Sequence, residues 1–327
     1  MEKIYRRFVL ITIAFTFTIV AGSCAPRTTA PVEPSPSGQA AESQARNLVQ
    51  ANEPGDEVWI PSGELTRVAF IQGQFFATGV NENILTSADG VSWAGRHLGL
   101  PTQRLFGVAS DGNRYIALTE GGPLLFSRDG TNWTRGTEYL PCSRRDVVYA
   151  QGRFVAVGWG GCVLVSEDGE KWVQRPSGTQ NDLLRVDYAN GIFLAAGWRG
   201  TLLTSTDGLT WVNRPTGVTA TLYGATHALG MFWVVGEKGL LLTSPDGSIW
   251  RAATLGEEFV FTGVGYGDGK LVVVGSQRGG LDGVVFWSTD GKSWKGQALR
   301  DKRTLQDLAF GRGRFVAVGE TGIYSFR

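Results

Sequence analysis

One seven-residue phrase, serine, any residue, aspartate, glycine, any two residues, tryptophan, recurs six times and limits what this chain can become. It runs from Ser87 to Trp93, Ser127 to Trp133, Ser166 to Trp172, Ser205 to Trp211, Ser244 to Trp250 and Ser288 to Trp294. The aspartates Asp89, Asp129, Asp168, Asp207, Asp246 and Asp290 therefore stand 40, 39, 39, 39 and 44 residues apart. A fixed period near forty marks a stack or ring of like units before it marks any chemistry. The stretches between phrases repeat as well. Before Trp172, Val147-Val148-Tyr149 leads to the turn Gln151-Gly152, then Phe154-Val155-Ala156-Val157-Gly158, a turn at Trp159-Gly160-Gly161, and Val163-Leu164-Val165. Short β-rich runs divided by glycine turns, with no helical periodicity, read as four antiparallel strands per unit. Four strands in about forty residues is the pattern of a propeller blade.

The phrase itself is turn chemistry. A carboxylate such as Asp168 can accept backbone N–H groups of its own turn, Gly169 can take a positive φ, and the serine hydroxyl can add a local bond. The tryptophan returns on the fourth strand and can bury its ring between sheets, worth roughly 1.5–3 kcal/mol. Six copies of one carboxylate suit a repeated turn and do not suit one active site.

These phrases resemble the Asp-box, or bacterial neuraminidase repeat, over residues 56–327. The resemblance implies a β-propeller of the sialidase superfamily. It does not imply a reaction, because Asp-box families include sialidases, other secreted propeller enzymes, and non-enzymatic propellers such as photosystem II assembly factors.

After Trp294 the chain supplies three more strands, around Leu308-Ala309-Phe310, Phe315 to Gly319 and Ile323-Tyr324-Ser325, and ends at Arg327. The fourth is expected from the other end: Val58-Trp59-Ile60 sits in a stretch that looks like the tail of a unit. An N-terminal strand that completes the last blade closes the ring and removes its open edges. The expected fold is all-β, a seven-bladed propeller of four-stranded antiparallel blades.

Residues 1–23 read as an export signal: Lys3, Arg6 and Arg7 precede an apolar run from Phe8 to Val20 that is short for a membrane span. Ala21-Gly22-Ser23-Cys24 resembles a bacterial lipoprotein cleavage box, which implies lipidation of Cys24 and anchoring through acyl burial. Ala25 after that cysteine leans toward the outer membrane under the same resemblance. Residues 24–55 are rich in Pro, Ala, Ser, Thr and Gln and read as a flexible tether. Residues 56–327 form the propeller domain. The chain has a formal charge of +1, and loss of Glu2, Lys3, Arg6 and Arg7 leaves it near −1, so general attraction to nucleic acid is not expected. Two further cysteines in an exported chain invite a disulfide between Cys142 and Cys162.

Topology sends the first-to-second turns and the repeated phrases to one end of the ring. The second-to-third turns and the blade connections go to the other, more varied end, where binding usually sits. There, Trp159 and Trp198 occupy equivalent turns of adjacent units, the latter followed by Arg199; they are either a stacking surface for a sugar or partner side chain, or packing over a blade edge. Arg67, Arg104, Arg144, Arg145 and Arg185 stand near the starts of innermost strands and could recognise carboxylates or phosphates, or be carboxylate-paired. Residues 276–283, in the 44-residue unit, are expected to form an enlarged loop on this end. His227 falls in an aromatic strand slot and His97 in a connecting loop; no metal cluster, nucleophile elbow or phosphate loop is present in the sequence, and no cofactor is expected.

The sequence thus points to an exported, lipid-anchored propeller that serves as a non-catalytic binding or assembly scaffold at the cell envelope, with an envelope protein or glycan as partner. The alternative is a glycoside hydrolase. Sialidases carry an Arg-Ile-Pro motif that this chain lacks, and a tyrosine–glutamate pair for which Tyr223 with Glu257 or Glu258 could stand. Paired carboxylates for other glycosidases could come from Glu120, Glu237, Asp282 or Glu320.

Overall fold

The computed structural model describes residues 57–80, 83–97, 104–279, 282–299 and 304–327. The expected signal, Cys24 and the tether lie outside them. Among the described residues the strands form seven four-stranded antiparallel sheets. Their innermost strands are Leu65–Ile71, Leu105–Ser110, Arg144–Ala150, Leu183–Ala189, Leu222–Ala228, Phe259–Gly267 and Leu305–Gly311, which define blades one to seven in chain order. Each innermost strand lies beside that of the next blade, and the seventh lies beside the first, so the sheets form a closed ring.

Closure follows the expected route. Val58–Pro61 pairs with Gly322–Phe326 as the outermost strand of the seventh blade, with Val58 opposite Ser325, Trp59 opposite Tyr324 and Ile60 opposite Ile323. The Trp59 and Tyr324 rings lie 6.4 Å apart on that seam.

The core lies between blades. Second strands such as Arg153–Gly158 are apolar on both faces, because each face meets a neighbouring sheet, so they read as unbroken hydrophobic runs. Val155, Val157 and Val163 of blade three pack with Leu183, Val186 and Phe193 of blade four. Gly158 closes the second strand because a Cβ there would run into the Ser143 carbonyl.

Every serine–aspartate–glycine turn is built alike. In the third blade Ser166 Oγ accepts the Gly169 N–H at 2.8 Å and donates to Asp168 Oδ1 at 3.0 Å. Asp168 Oδ1 also accepts the N–H groups of Glu170 and Lys171, each at 2.8 Å, while Gly169 takes φ +74°. The tryptophan sits in the core between blades, as expected: Trp172 packs against a cluster built from blades two and three. Trp172 is half-buried on Phe154 of its own blade, centroids 6.3 Å apart, and its Nε1 donates to Gly169 O at 2.9 Å. Blade six has Leu271 where the six others place Phe or Tyr, and its Trp294 packs instead against Trp233 of blade five, at 6.2 Å.

The extra residues of the 44-residue unit fall between the second and third strands, at the expected 276–283 stretch. They lengthen Lys270–Gln277 and Gly283–Ser288, which stay paired to Ser276↔Gly283, and residues 280–281 lie outside the described residues. Backbone of His97 ends the strand Ala94–His97 rather than lying in a connection.

Cys142 and Cys162 are joined by a disulfide, Cα atoms 6.3 Å apart, which ties the start of the third blade's inner strand to the start of its third strand.

Candidate functional site

Trp159 and Trp198 each begin a single 3₁₀ turn on the varied end, Trp159–Gly161 and Trp198–Gly200. Their side chains stand half out of the protein, 51% and 50% exposed. One residue ties the two turns together. Asp182, just before the fourth inner strand, accepts the Gly160 N–H on Oδ1 at 2.7 Å and the Trp198 N–H on its carbonyl at 2.9 Å. The two indoles therefore share one backbone-anchored frame. Arg199 takes φ +55° within the second turn, is exposed, and makes no hydrogen bond among the described residues. Tyr139, in the connection leading to blade three, is a further exposed ring at 67%. Neither Asp182 nor Tyr139 is marked by the repeat, since both sit in the connections that vary from blade to blade.

Each inner strand carries a register shift near its second residue, as between Leu65 and Arg67, Arg144 and Asp146, and Leu222 and Gly224. Such bulges re-aim side chains beside functional sites. The arginines separate accordingly. Arg104 pairs with Glu64 at 3.0 Å, and Arg144 is buried, donating to the carbonyls of Cys142 and Gly122 at 2.9 and 2.6 Å. Arg145 lies over the Phe106 ring, 4.9 Å from its centroid, with no ion pair among the described residues. Burial, and then the like charges of Arg67 and Arg104, hold its guanidinium below the ordinary value.

Deeper in, the third residues of the inner strands build an ion-pair ring that the sequence reading did not contain. Blades one, three, four and seven place Arg67, Asp146, Arg185 and Asp307 there, where blades two, five and six have Gly107, Gly224 and Gly263. Arg185 is the centre of it: Nη1 meets Asp307 at 2.8 Å, and Nε meets Asp187 at 3.1 Å and Asp146 at 3.4 Å. Arg67 donates to the carbonyls of Thr66 and Leu184 at 3.1 and 2.7 Å. The carboxylates also clamp neighbouring blades: Asp146 Oδ2 accepts the Val186 N–H at 3.1 Å and Asp307 Oδ2 the Val68 N–H at 3.0 Å. Arg185, expected as a ligand contact at the channel mouth, is thus enclosed and fully engaged. A cavity of about 320 Å³ runs from this ring toward the end with the first-to-second turns. The charges were visible in sequence as polar residues at one register of otherwise apolar strands; their meeting across the channel was not.

Of the nominated carboxylates, Glu120, Glu257, Glu258 and Glu320 are exposed and Asp282 is half-buried. Tyr223 meets Glu237 rather than Glu257 or Glu258: its hydroxyl lies 3.4 Å from Glu237 Oε1, while Glu237 Oε2 accepts the Thr221 N–H at 3.0 Å. Burial, and then Glu237, push the Tyr223 phenol up, so it stays protonated at neutral pH. His227 packs edge-on against Phe232 at 4.8 Å. Among the described residues no cluster of three His, Cys, Asp or Glu side chains could hold a metal.

These features define a seven-bladed propeller with a polar channel and one aromatic, arginine-bearing end. No family model matches the chain, and no curated protein sequence matches it. Solved structures share its fold. YCF48 bound to a D1 peptide is 17% identical over 84% of this chain and 95% of that one, with a TM-score of 0.68. YCF48 from Cyanidioschyzon merolae is 18% identical over 83% and 98%, at 0.65. A virginiamycin B lyase from Staphylococcus aureus is 8% identical over 83% and 97%, at 0.71. A peptide binder and a lyase thus share one scaffold, so the fold alone selects neither function.

Proposed function

We propose that this chain is an exported, lipid-anchored propeller whose varied end binds an envelope protein and acts as an assembly or holding scaffold, without catalysing a reaction. The observation that carries the reading is the pair Trp159 and Trp198, half-exposed and locked to one another through Asp182. Large exposed rings fixed in place lose little entropy on binding, which is what an interface anchor requires. Arg145 and Arg199, both without an ion pair among the described residues, place positive charge on the same end. A propeller of this shape that holds a peptide, YCF48 with D1, supports a protein partner over a free glycan. Export and anchoring rest on the basic start, the apolar run and the Ala21-Gly22-Ser23-Cys24 stretch, which resembles a bacterial lipoprotein cleavage box. The Cys142–Cys162 bridge suits an oxidising compartment. The test is affinity capture from solubilised envelope: a specific protein is enriched by the native chain and lost with Trp159→Ala plus Trp198→Ala. Enrichment unchanged by that double variant would overturn the assignment.

One contact favours the glycosidase reading, the Tyr223–Glu237 pair near Arg145. Turnover of a chromogenic sialoside, lost in Tyr223→Phe or Glu237→Gln, would establish it in place of the scaffold.

A further inference from the structure

The channel cavity opens away from the tryptophan end and has a composition of its own. Its wall is mixed: Ala69, Ala109, Val148 and Ala309 form one apolar level, Phe70 and Tyr149 lie nearer the opening, and Thr78 and Ser110 add polar groups. Its floor is the ion-pair ring, in which three carboxylates, Asp146, Asp187 and Asp307, face two guanidiniums, Arg67 and Arg185. With every group ionised the ring holds one negative charge in excess, while burial pushes the Asp146 and Asp187 carboxyls up against the opposing pull of Arg185. That excess has an address. Asp146 and Asp307 are buried, 6% and 1% exposed, and each accepts backbone N–H groups as well as arginine. Asp187 accepts one hydrogen bond among the described residues, from Arg185 Nε to Oδ2, and its side chain is 25% exposed to the cavity. At the same strand position the other blades carry Ala69, Ala109, Val148, Thr226, Gly265 and Ala309, so this carboxylate is the one charge in a layer of small, mostly apolar residues. A pocket of about 320 Å³ with an apolar level above one under-paired carboxylate has the make-up of a small-ligand site.

We infer that the channel, at the end opposite Trp159 and Trp198, is a separate binding site for an alkylammonium group, with its carbon chain on the apolar level and its charge on Asp187 Oδ1. Carboxylates and phosphates are disfavoured there by the same excess charge. A neutral alkyl group would gain the apolar level and leave Asp187 as it stands. The ammonium source is either a free amine or the side chain of a lysine in a bound peptide. This site is independent of the scaffold reading, and the failure of either leaves the other standing.

The test is calorimetric titration of the full-length protein with n-butylammonium chloride, n-butanol and an acetylated glycine-lysine-glycine amide. Butylammonium is expected to bind saturably and at least about tenfold more tightly than butanol. Asp187→Asn should erase that preference, and Ala69→Leu, which fills the wall without touching charge, should remove both ligands. Tighter binding of the peptide identifies lysine as the source, and tighter binding of butylammonium identifies a free amine. Equal binding of amine and alcohol overturns the proposal. So does the absence of saturable ammonium binding up to about 10 mM, or full ammonium preference in Asp187→Asn. The amine-against-alcohol comparison on the unaltered protein decides the matter even where neither variant folds.

Discussion

The repeated aspartates are weakly buried, yet their carboxyls lie well below the ordinary range. Hydrogen bonds from the N–H groups of Ser92 and Val91 hold Asp89 near 2, and those of Thr210 and Leu209 do the same for Asp207. For Asp246 the Ser248 hydroxyl comes first, with the Ser248 N–H next, again to about 2. A carboxyl lowered on folding stabilises the native state fully above its unfolded value of about 3.9 and loses that contribution as pH falls through the folded value. Thermal melts should therefore be flat from pH 6 to about 4 and fall steeply toward pH 2. Asp168→Asn should cost about 1 kcal/mol at pH 6 and lose less than the native chain across the acid limb. Arg185 answers to different physics. Its removal leaves Asp146, Asp187 and Asp307 facing one another in the channel, so Arg185→Met should destabilise by about 3–5 kcal/mol in urea unfolding. The turn aspartates were legible in sequence because all of their partners lie within three residues. The role of Arg185 was not, because Asp146 and Asp307 reach it from blades that are distant in the chain.

At the scale of elements, blade count and strand order could be read from glycine turns and apolar runs, since each blade satisfies its own backbone locally. The insertion in the sixth unit lies where the reading put it, between the second and third strands, but its ends pair, Ser276 opposite Gly283, which satisfies backbone groups that an open loop would leave to solvent. The tryptophans reach the expected core between blades and also meet an aromatic of their own blade, such as Phe154, a contact the sequence reading did not contain. The Cys142–Cys162 bridge closes a 20-residue separation within blade three and should contribute about 3 kcal/mol. Urea unfolding with and without reductant measures it; an unchanged midpoint would remove the bridge from the account.

For the whole molecule, the seam between Val58–Pro61 and Gly322–Phe326 fixes the ring and, with it, two chemically distinct ends. One end repeats a single turn design; the other carries Trp159, Trp198, Tyr139 and, in Arg145 and Arg199, arginines without an ion pair among the described residues. That division was legible from topology alone, whereas the Asp182 bridge that makes the tryptophans a rigid pair was not, because it joins two turns of different blades. The scaffold reading depends on which end a partner touches. A photo-crosslinking amino acid placed at position 159, and separately at position 249, where Ile249 is 74% exposed in a repeated turn, reports this in living cells. A discrete protein adduct from position 159 and none from position 249 is the outcome expected; adducts from position 249 alone, or the same adducts from both, would contradict it.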